Sequence, residues 1–115
     1  MKITDIKIHQ PAGLLRVLTD TEIEGWCLGV GSEASRQIQS VYRDVLLGQE
    51  PINRERLWHE LVHLDRFRYM PQQTRGFVDV ALWDLAGKAV KLPVYQLIGG
   101  FRARIPAYKS GGNPT

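Results

Sequence analysis

His59, Glu60 and His63 have the residue types and the spacing of a zinc-protease motif. Two histidines one helical turn apart lie on the same side of a helix. Both imidazoles can then reach a Zn²⁺ ion while the glutamate acts as general base. A catalytic zinc site also needs a third protein ligand, however, and no glutamate follows Glu60 in the sequence. Arg56 falls on the same helix face, opposite the leucines, so we expect surface histidines; a zinc metallopeptidase is kept as an alternative.

Asp79 and Asp84 are the next candidates for acid–base chemistry, because paired carboxylates can serve as general acid and base. Five residues apart on a helix, they point to different faces. Arg75 precedes Asp79 by four residues and Lys88 follows Asp84 by four, which is the spacing of helical ion pairs. We therefore predict two structural ion pairs rather than a catalytic carboxylate pair.

The elements that must position these side chains begin with three predicted strands. Residues 2–9 alternate between apolar and polar positions, with Ile6 and Ile8 on one face. Apolar runs at residues 14–18 and 23–28 follow, each after residues that favour turns. This pattern predicts an antiparallel β-meander.

Helices are predicted for most of the remaining chain. Ser32 and Asn53 can cap the first two, and the apolar stripe of the first is Ile38, Val41, Tyr42, Val45 and Leu46. Residues 66–73 are predicted to be a loop, and residues 74–90 a third helix that is apolar on most sides. A short helical turn after Pro93 and a last strand at residues 105–108 complete an α+β pattern. Because a helix apolar on most sides is buried on most sides, the third helix requires more covering than these elements offer.

Composition narrows the function classes. A chain of 115 residues with 43% hydrophobic and 23% charged residues is typical of one globular domain. The net charge of +3 comes from scattered residues, so we expect no nucleic-acid partner. No apolar stretch approaches the ~20 residues that span a bilayer, and the N-terminus lacks the apolar core of a signal peptide. The single cysteine, Cys27, is predicted to be buried and fits a reducing cytoplasm.

Several segments, in order along the chain, resemble the mandelate racemase/muconate lactonizing enzyme family of the enolase superfamily. The most specific is VDVALWDLAGK at residues 78–88. The others are KITDI at residues 2–6, Thr19-Asp20, Gly25-Trp26, LGQEP at 47–51 followed by Leu57-Trp58, LPVYQLIGG at 92–100, Arg102, and IPAY at 105–108.

The resemblance implies a three-stranded antiparallel meander followed by a three- to four-helix bundle, as in an enolase-type N-terminal capping domain at residues 1–100. Residues 101–115 are then expected to be a linker and the truncated first strand of a (β/α) barrel that this chain lacks. In such enzymes the barrel supplies the Mg²⁺ ligands and the bases that remove a proton α to a carboxylate. The resemblance therefore implies Mg²⁺ in the parent enzyme, but no metal ligand and no catalytic residue in this chain.

What the resemblance assigns to the chain is a substrate lid. The connection between the first two strands provides His9, Gln10 and Pro11, and a second segment at residues 66–73 provides further polar groups. The remaining lid candidates are Arg66, Arg68, Tyr69, Tyr108 and Lys109. Arginines suit a carboxylate because guanidinium can donate two parallel hydrogen bonds to it.

The expected parent is a cytoplasmic sugar-acid dehydratase, racemase or cycloisomerase that acts on a small carboxylate or sugar-acid substrate. A homo-oligomer is expected from the resemblance as well. A stand-alone protein-binding module without catalysis is the main alternative, and it would follow if the natural protein has this length. We also expect the isolated chain to self-associate, because its last strand and third helix would be uncovered.

Overall fold

The computed structural model describes residues 1–111, and its first third is a three-stranded antiparallel sheet. The strands are β1 (Ile3–His9), β2 (Leu14–Thr19) and β3 (Glu24–Cys27), in the order β1-β2-β3. The register between β1 and β2 shifts between Ile3 and Asp5, so the buried Ile3 and Ile6 face the same side although they are three residues apart. The predicted meander is confirmed.

The helical part begins with a continuous helix at residues 32–46 whose middle turn is π-helical. It comprises α1 (Ser32–Gln37), a π-helical segment (Ile38–Tyr42) and α2 (Arg43–Leu46). The predicted cap at Ser32 was wrong. Gly31 occupies the capping position with an extended backbone, and its carbonyl accepts the Ser35 amide at 2.9 Å, so Ser32 is already helical.

Two long helices and one short helix follow. They are α3 (Arg54–Arg68), α4 (Gln72–Val90) and α5 (Val94–Leu97). Asn53 lies at the capping position of α3 as predicted, but its side chain makes no capping hydrogen bond. The loop predicted at residues 66–73 is shorter, because α3 continues through Arg68 and α4 already begins at Gln72.

The core lies between the inner face of the sheet and the helices. It includes the predicted buried cysteine and most of the predicted helical stripes. Its largest fully buried members are Tyr42, Ile3, Ile6, Leu15, Ile38, Leu46, Leu57, Leu61, Leu82 and Leu85. Burial of this apolar surface is the main force that fixes the sheet against α3 and α4.

Gly25 allows α4 to lie directly on β3. A Cβ atom at this position would stand 2.0 Å from the Ala81 carbonyl oxygen and 2.8 Å from Leu85 Cβ. No side chain fits in that space, so the backbones touch. The family-like segment at residues 78–88 therefore has a structural use, which is the packing of its helix on the third strand.

Polar groups cover part of both edges of the sheet. Beside β3, the Asp84 carboxylate accepts the Trp26 amide at 2.8 Å, and the Lys88 ammonium donates to the Glu24 carbonyl at 2.9 Å. On the β1 side, the side chains of Gln39 and Arg43 both donate to the Ile6 carbonyl, at 2.9 and 3.1 Å. The backbone of Ile3 is bonded there too, through its amide to Gln49 and through its carbonyl to Gly48.

The strand predicted at residues 105–108 is absent from the described part of the chain. Residues 104–111 have no regular structure, and Ile105 and Tyr108 are exposed. A strand needs a neighbour to pair with, and the edges of the sheet are already occupied. Of the predicted linker segment 101–115, residues 112–115 lie outside the described residues.

Candidate functional site

Two connections of the sheet meet at one end of the molecule. The loop between β1 and β2 contacts the loop that follows β3, because the Val30 amide donates to the Gly13 carbonyl at 3.0 Å. The Gln10 side chain donates to the Val30 carbonyl at 3.1 Å. Gly13 adopts φ +70°, and a Cβ atom there would lie 2.4 Å from the Val30 oxygen, so glycine is required. His9, Gln10 and Pro11 are all exposed at this end.

The connection between α3 and α4 lies toward the same end. Glu24, near the start of β3, contacts Lys88 of α4, and Trp26, further along β3, contacts the earlier residue Asp84. Helix α4 is therefore antiparallel to β3, and its first residue, Gln72, lies toward the end where β3 stops. The structure thus places both predicted lid segments at one end of the sheet.

Arg66, Arg68 and Tyr69 project from the last turn of α3 into solvent. Tyr69 is 92% exposed and adopts the left-handed conformation, φ 53°, that ends the helix. Within residues 1–111 neither arginine forms an ion pair. Two unpaired guanidinium groups beside an exposed phenol can bind a carboxylate and hydroxyl groups. They also complement the negative end of the helix dipole, so their position stabilises α3 in any case.

Within residues 1–111, no polar contact brings the last two lid candidates, Tyr108 and Lys109, to this end of the sheet. Tyr108 and Lys109 are exposed and belong to the extended segment. Neither forms a hydrogen bond or an ion pair with residues 1–111. Their role as lid residues stays a prediction.

A buried polar cluster fixes the turn between α3 and α4. Asp65, only 8% exposed, accepts hydrogen bonds from the Tyr42 hydroxyl and the Arg75 guanidinium, and its carbonyl accepts the Met70 amide at 3.2 Å. Arg75 also lies over the Trp58 ring, 4.3 Å from its centroid. Burial and the bond to Asp65 raise the pKa of Tyr42, so this tyrosine is a hydrogen-bond donor and no acid catalyst at neutral pH.

The two predicted ion pairs on α4 have different outcomes. Lys88 contacts Asp84 at 2.7 Å, which confirms that pair. The pair of Arg75 with Asp79 was wrong, because Arg75 turns to the buried Asp65 on the neighbouring helix. Burial raises the pKa of Asp79, against the attraction of Arg54. The two carboxylates do not form a pair: Asp84 is committed to Lys88 and the Trp26 amide.

The zinc-protease motif lies on the solvent side of α3. His59 and His63 are both exposed, as predicted, and Glu60 forms an ion pair with Arg56 at 3.1 Å. Among residues 1–111 no three side chains of His, Cys, Asp or Glu are placed to hold a metal ion together. The geometry therefore does not assemble a catalytic zinc centre in this part of the chain.

A network of charged side chains lies on the outer face of the sheet. Arg16 donates two hydrogen bonds to Glu24, at 2.8 and 2.9 Å, and the Trp26 indole donates a third at 2.5 Å. These bonds lower the pKa of Glu24 to about 2, and the bonds from Arg16 have the largest effect. His9 lies 3.2 Å from the same guanidinium through Nε2, so the network reaches the predicted lid.

A pH dependence follows from this network. A carboxyl whose pKa is depressed on folding stabilises the folded state above its ordinary pKa, and this stabilisation is lost as the pH falls toward the lowered value. We expect the free energy of unfolding of the wild type to exceed that of Glu24→Gln above pH 4.5, and the difference to shrink toward pH 2. Urea titrations of both proteins across this range measure it. A difference that stays constant with pH would assign the stabilisation to some other group.

Sequence reasoning missed one segment of this end, the loop at residues 28–31. Leu28 is exposed, and Val30 contacts Gln10 and Gly13 as described above. The two glycines that flank Val30 are the signal that could have indicated a close approach of two loops. The candidate site therefore includes this loop besides the two predicted segments.

A three-stranded meander packed on a helical pair, with polar loops gathered at one end, defines the α+β N-terminal domain class of the enolase superfamily. The sequence of residues 4–99 matches the protein-family model described as "Mandelate racemase / muconate lactonizing enzyme, N-terminal domain". The chain belongs to this family. The family and the fold expected from the sequence are thereby confirmed.

Curated relatives and solved structures support the same assignment. The chain is 34% identical to a D-galactonate dehydratase of Pectobacterium atrosepticum, with 99% of the chain and 32% of the relative covered. It is 32% identical to the Klebsiella pneumoniae D-galactonate dehydratase, over 93% of the chain and 30% of the relative. A D-glucarate dehydratase from Agrobacterium tumefaciens, complexed with magnesium, superposes with a TM-score of 0.78 at 33% identity, covering 89% of this chain and 33% of that one. The chain thus spans about a third of the length of these proteins.

A second kind of chemistry occurs among the structural neighbours. The 3,6-anhydro-D-galactonate cycloisomerase from Zobellia galactanivorans gives a TM-score of 0.73 at 30% identity, with 87% of this chain and 32% of that one covered. The relatives therefore include dehydratases and a cycloisomerase with the same N-terminal fold. In residues 1–111 no helix is long and apolar enough to cross a membrane.

Proposed function

We propose that this chain is the capping domain of a Mg²⁺-dependent enzyme that abstracts a proton α to the carboxylate of a small sugar acid. The single observation that carries the capping role is an uncovered apolar face beside the polar end of the sheet, and the chemistry follows that of the similar proteins. Helices α4 and α5 and strand β3 form this face, which is lined by Trp26, Val80, Trp83, Asp84, Val94 and Ile98 around a cavity of about 480 Å³. A capping domain needs such a surface to dock on a second domain.

The exposures support this reading. Val80 is 53% exposed, Ile98 63% and Trp26 49%, although all three are large apolar side chains. Contiguous exposed apolar surface of this kind marks an interaction site. In the proposed enzyme a barrel domain covers it, and the polar loops lie over the mouth of the barrel, where the active sites of such folds are found.

The lid residues have distinct roles in this proposal. Arg66 and Arg68 bind the substrate carboxylate or a second anionic group, Tyr69, Gln10 and His9 bind hydroxyl groups, and Pro11 shapes the first loop. Tyr108 and Lys109 lead toward the barrel. Closure of these segments excludes water from the reacting carbon, which strengthens the electrostatic interactions within the site.

Magnesium belongs to the parent enzyme in this proposal. Residues 1–111 do not fit the ion, because they offer no cluster of three metal ligands, and the part proposed for them is substrate binding and closure. We place the enzyme in the cytoplasm, with a sugar-acid substrate, no nucleic-acid or membrane partner, and a homo-oligomeric state.

The first experiment is the intact mass of the protein as its source organism makes it. A barrel adds about 250 residues, so the proposal expects about three times the 13.1 kDa of this chain, together with Mg²⁺-dependent dehydration of a sugar acid such as D-galactonate or D-glucarate. A mass near 13.1 kDa would instead favour a stand-alone module that binds a protein partner through the same apolar face.

The uncovered face makes a prediction for the 115-residue chain alone. We expect it to self-associate, because Val80 and Ile98 lie open to solvent. The double substitution Val80→Lys and Ile98→Lys should shift the sedimentation coefficient toward that of a monomer. The control is Lys2→Ala, because Lys2 is exposed and lies just before β1, away from the apolar face. This substitution should leave self-association unchanged. A monomeric wild type at high concentration would contradict the expectation.

A further inference from the structure

We propose that His59 and His63 form a two-histidine binding site for a divalent transition-metal ion on the outer face of α3. Neither histidine is among the residues to which the capping proposal gives a role. It is therefore independent of whether the parent protein is a sugar-acid enzyme.

The geometry of α3 places the two histidines on the same face, one helical turn apart. The helix is regular from Arg54 to Arg68, so residues four apart lie one above the other on the same face. Both histidines are exposed, and neither makes a hydrogen bond or an ion pair within residues 1–111. The His63 and Phe67 rings are nearly perpendicular, with the centroids 6.1 Å apart at an interplanar angle of 81°, and His63 as a whole remains exposed.

The state of Glu60 argues against a hydrolytic zinc centre at these histidines. Glu60 stands between the two histidines in the sequence, but it is held by Arg56 at 3.1 Å. A glutamate engaged in this way is not free to deprotonate a metal-bound water, and residues 1–111 supply no third ligand. The ion would therefore have two protein ligands and several waters, which is a binding site and not a hydrolytic centre.

The ligand type selects the metal. Imidazole nitrogen suits Zn²⁺, Ni²⁺ and Cu²⁺, whereas Mg²⁺ prefers oxygen ligands in an octahedron. The order of affinities for such ligands predicts the tightest binding for Cu²⁺, followed by Ni²⁺ and Zn²⁺. The site is thus chemically distinct from any magnesium site of the parent enzyme.

Binding should also report on the fold. An ion held by both histidines requires that turn of α3 to be helical, so it binds the folded state in preference to the unfolded chain and raises the melting temperature. Imidazole binds a metal only in its neutral form, so uptake should fall as the solution is acidified.

Isothermal titration with ZnCl₂, repeated with NiCl₂ and MgCl₂, tests the proposal on the purified protein and on His59→Ala, His63→Ala and His9→Ala. His9 is the third histidine of the chain and lies on the sheet, so its variant is the matched control. We expect the wild type and His9→Ala to bind one Zn²⁺ or Ni²⁺ per chain and not to bind Mg²⁺. Either α3 variant should bind at least about tenfold more weakly, since loss of an outer-shell partner alone costs about 10- to 100-fold.

Two results would overturn the proposal. One is Zn²⁺ and Ni²⁺ affinity in His59→Ala or His63→Ala equal to that of the wild type, and the other is an equal loss in His9→Ala. Far-UV circular dichroism establishes that each variant is folded, which is expected because all three side chains are exposed. Activity toward sugar acids should not change in His59→Ala or His63→Ala of the full enzyme, so failure of this proposal and failure of the capping proposal are distinguishable.

Discussion

Gly25→Ala is expected to push β3 away from α4 and to lower the free energy of unfolding by about 3 kcal/mol or more. The added Cβ would meet the Ala81 carbonyl oxygen at 2.0 Å and Leu85 Cβ at 2.8 Å, and the first of these atoms is backbone that cannot rotate away. Overpacking usually costs about 1–3 kcal/mol, and a clash between two backbones lies at or above the upper end of that range. Natural domains have only about 5–15 kcal/mol of stability.

Gly76→Ala is the matched control for this substitution. Gly76 lies within α4, and a Cβ atom there would have no neighbour within 4 Å. Because alanine favours the helix more than glycine by up to about 1 kcal/mol, this variant should be slightly more stable than the wild type. Denaturant titrations of both variants compare the two effects. If Gly25→Ala proved as stable as the wild type, the close packing of β3 on α4 would be wrong.

Asp65→Ala is expected to be the second severe change. It would remove the acceptor of both the Tyr42 hydroxyl and the Arg75 guanidinium, and would leave Arg75 buried beside Trp58 without its counter-ion. Removing one partner of a buried ion pair costs about 3–5 kcal/mol, because the remaining charge is uncompensated. The free energy of unfolding from urea titration measures the loss.

Glu60→Ala provides the comparison on the same helix. Its ion pair with Arg56 is exposed and joins residues four apart, and such pairs contribute about 0.3–0.5 kcal/mol. The double variant Asp65→Ala, Arg75→Leu should recover part of the stability lost in the single variant, since it removes the unpaired charge. Equal losses for Asp65→Ala and Glu60→Ala would show that the buried cluster contributes no more than a surface pair.

The sequence allowed most of the fold to be predicted, because its signals are local. The alternation of Ile6, Lys7 and Ile8 and the turn residues after each run predict a meander. Helix α4 and the turn after Pro93 follow from apolar spacing and from residues that end helices. The family resemblance then fixes the order of the elements, and the comparisons confirm it.

Apart from the cap at Ser32, which failed for a local reason, the errors arise from contacts between residues distant along the chain. Spacing alone favours a pair of Arg75 with Asp79, but it cannot show that Asp65 on another helix is buried and closer. The contact of Gln10 with Val30 joins loops twenty residues apart, and no local pattern indicates it. Residues 105–108 have the composition of a strand, yet a strand forms only where a partner strand is available.

The extent of the candidate site was predicted less well than the fold. Both predicted lid segments lie toward one end of the sheet, but Arg66 and Arg68 are helical and the loop at residues 28–31 was missed. A site of this kind is defined by the loops that contact one another. Those contacts depend on Gly13 and Gly25, where the absence of a side chain lets two backbones touch.

The closed edges of the sheet limit how this protein can assemble with copies of itself. An open strand edge is a template to which further chains can add one after another, which leads to fibrous aggregates. Here Asp84 and Lys88 occupy one edge, and Gln39 and Arg43 occupy the other. Self-association is therefore expected to use side-chain contacts of the apolar face, and substitutions at these four polar residues are expected to leave more of the strand edges free to pair.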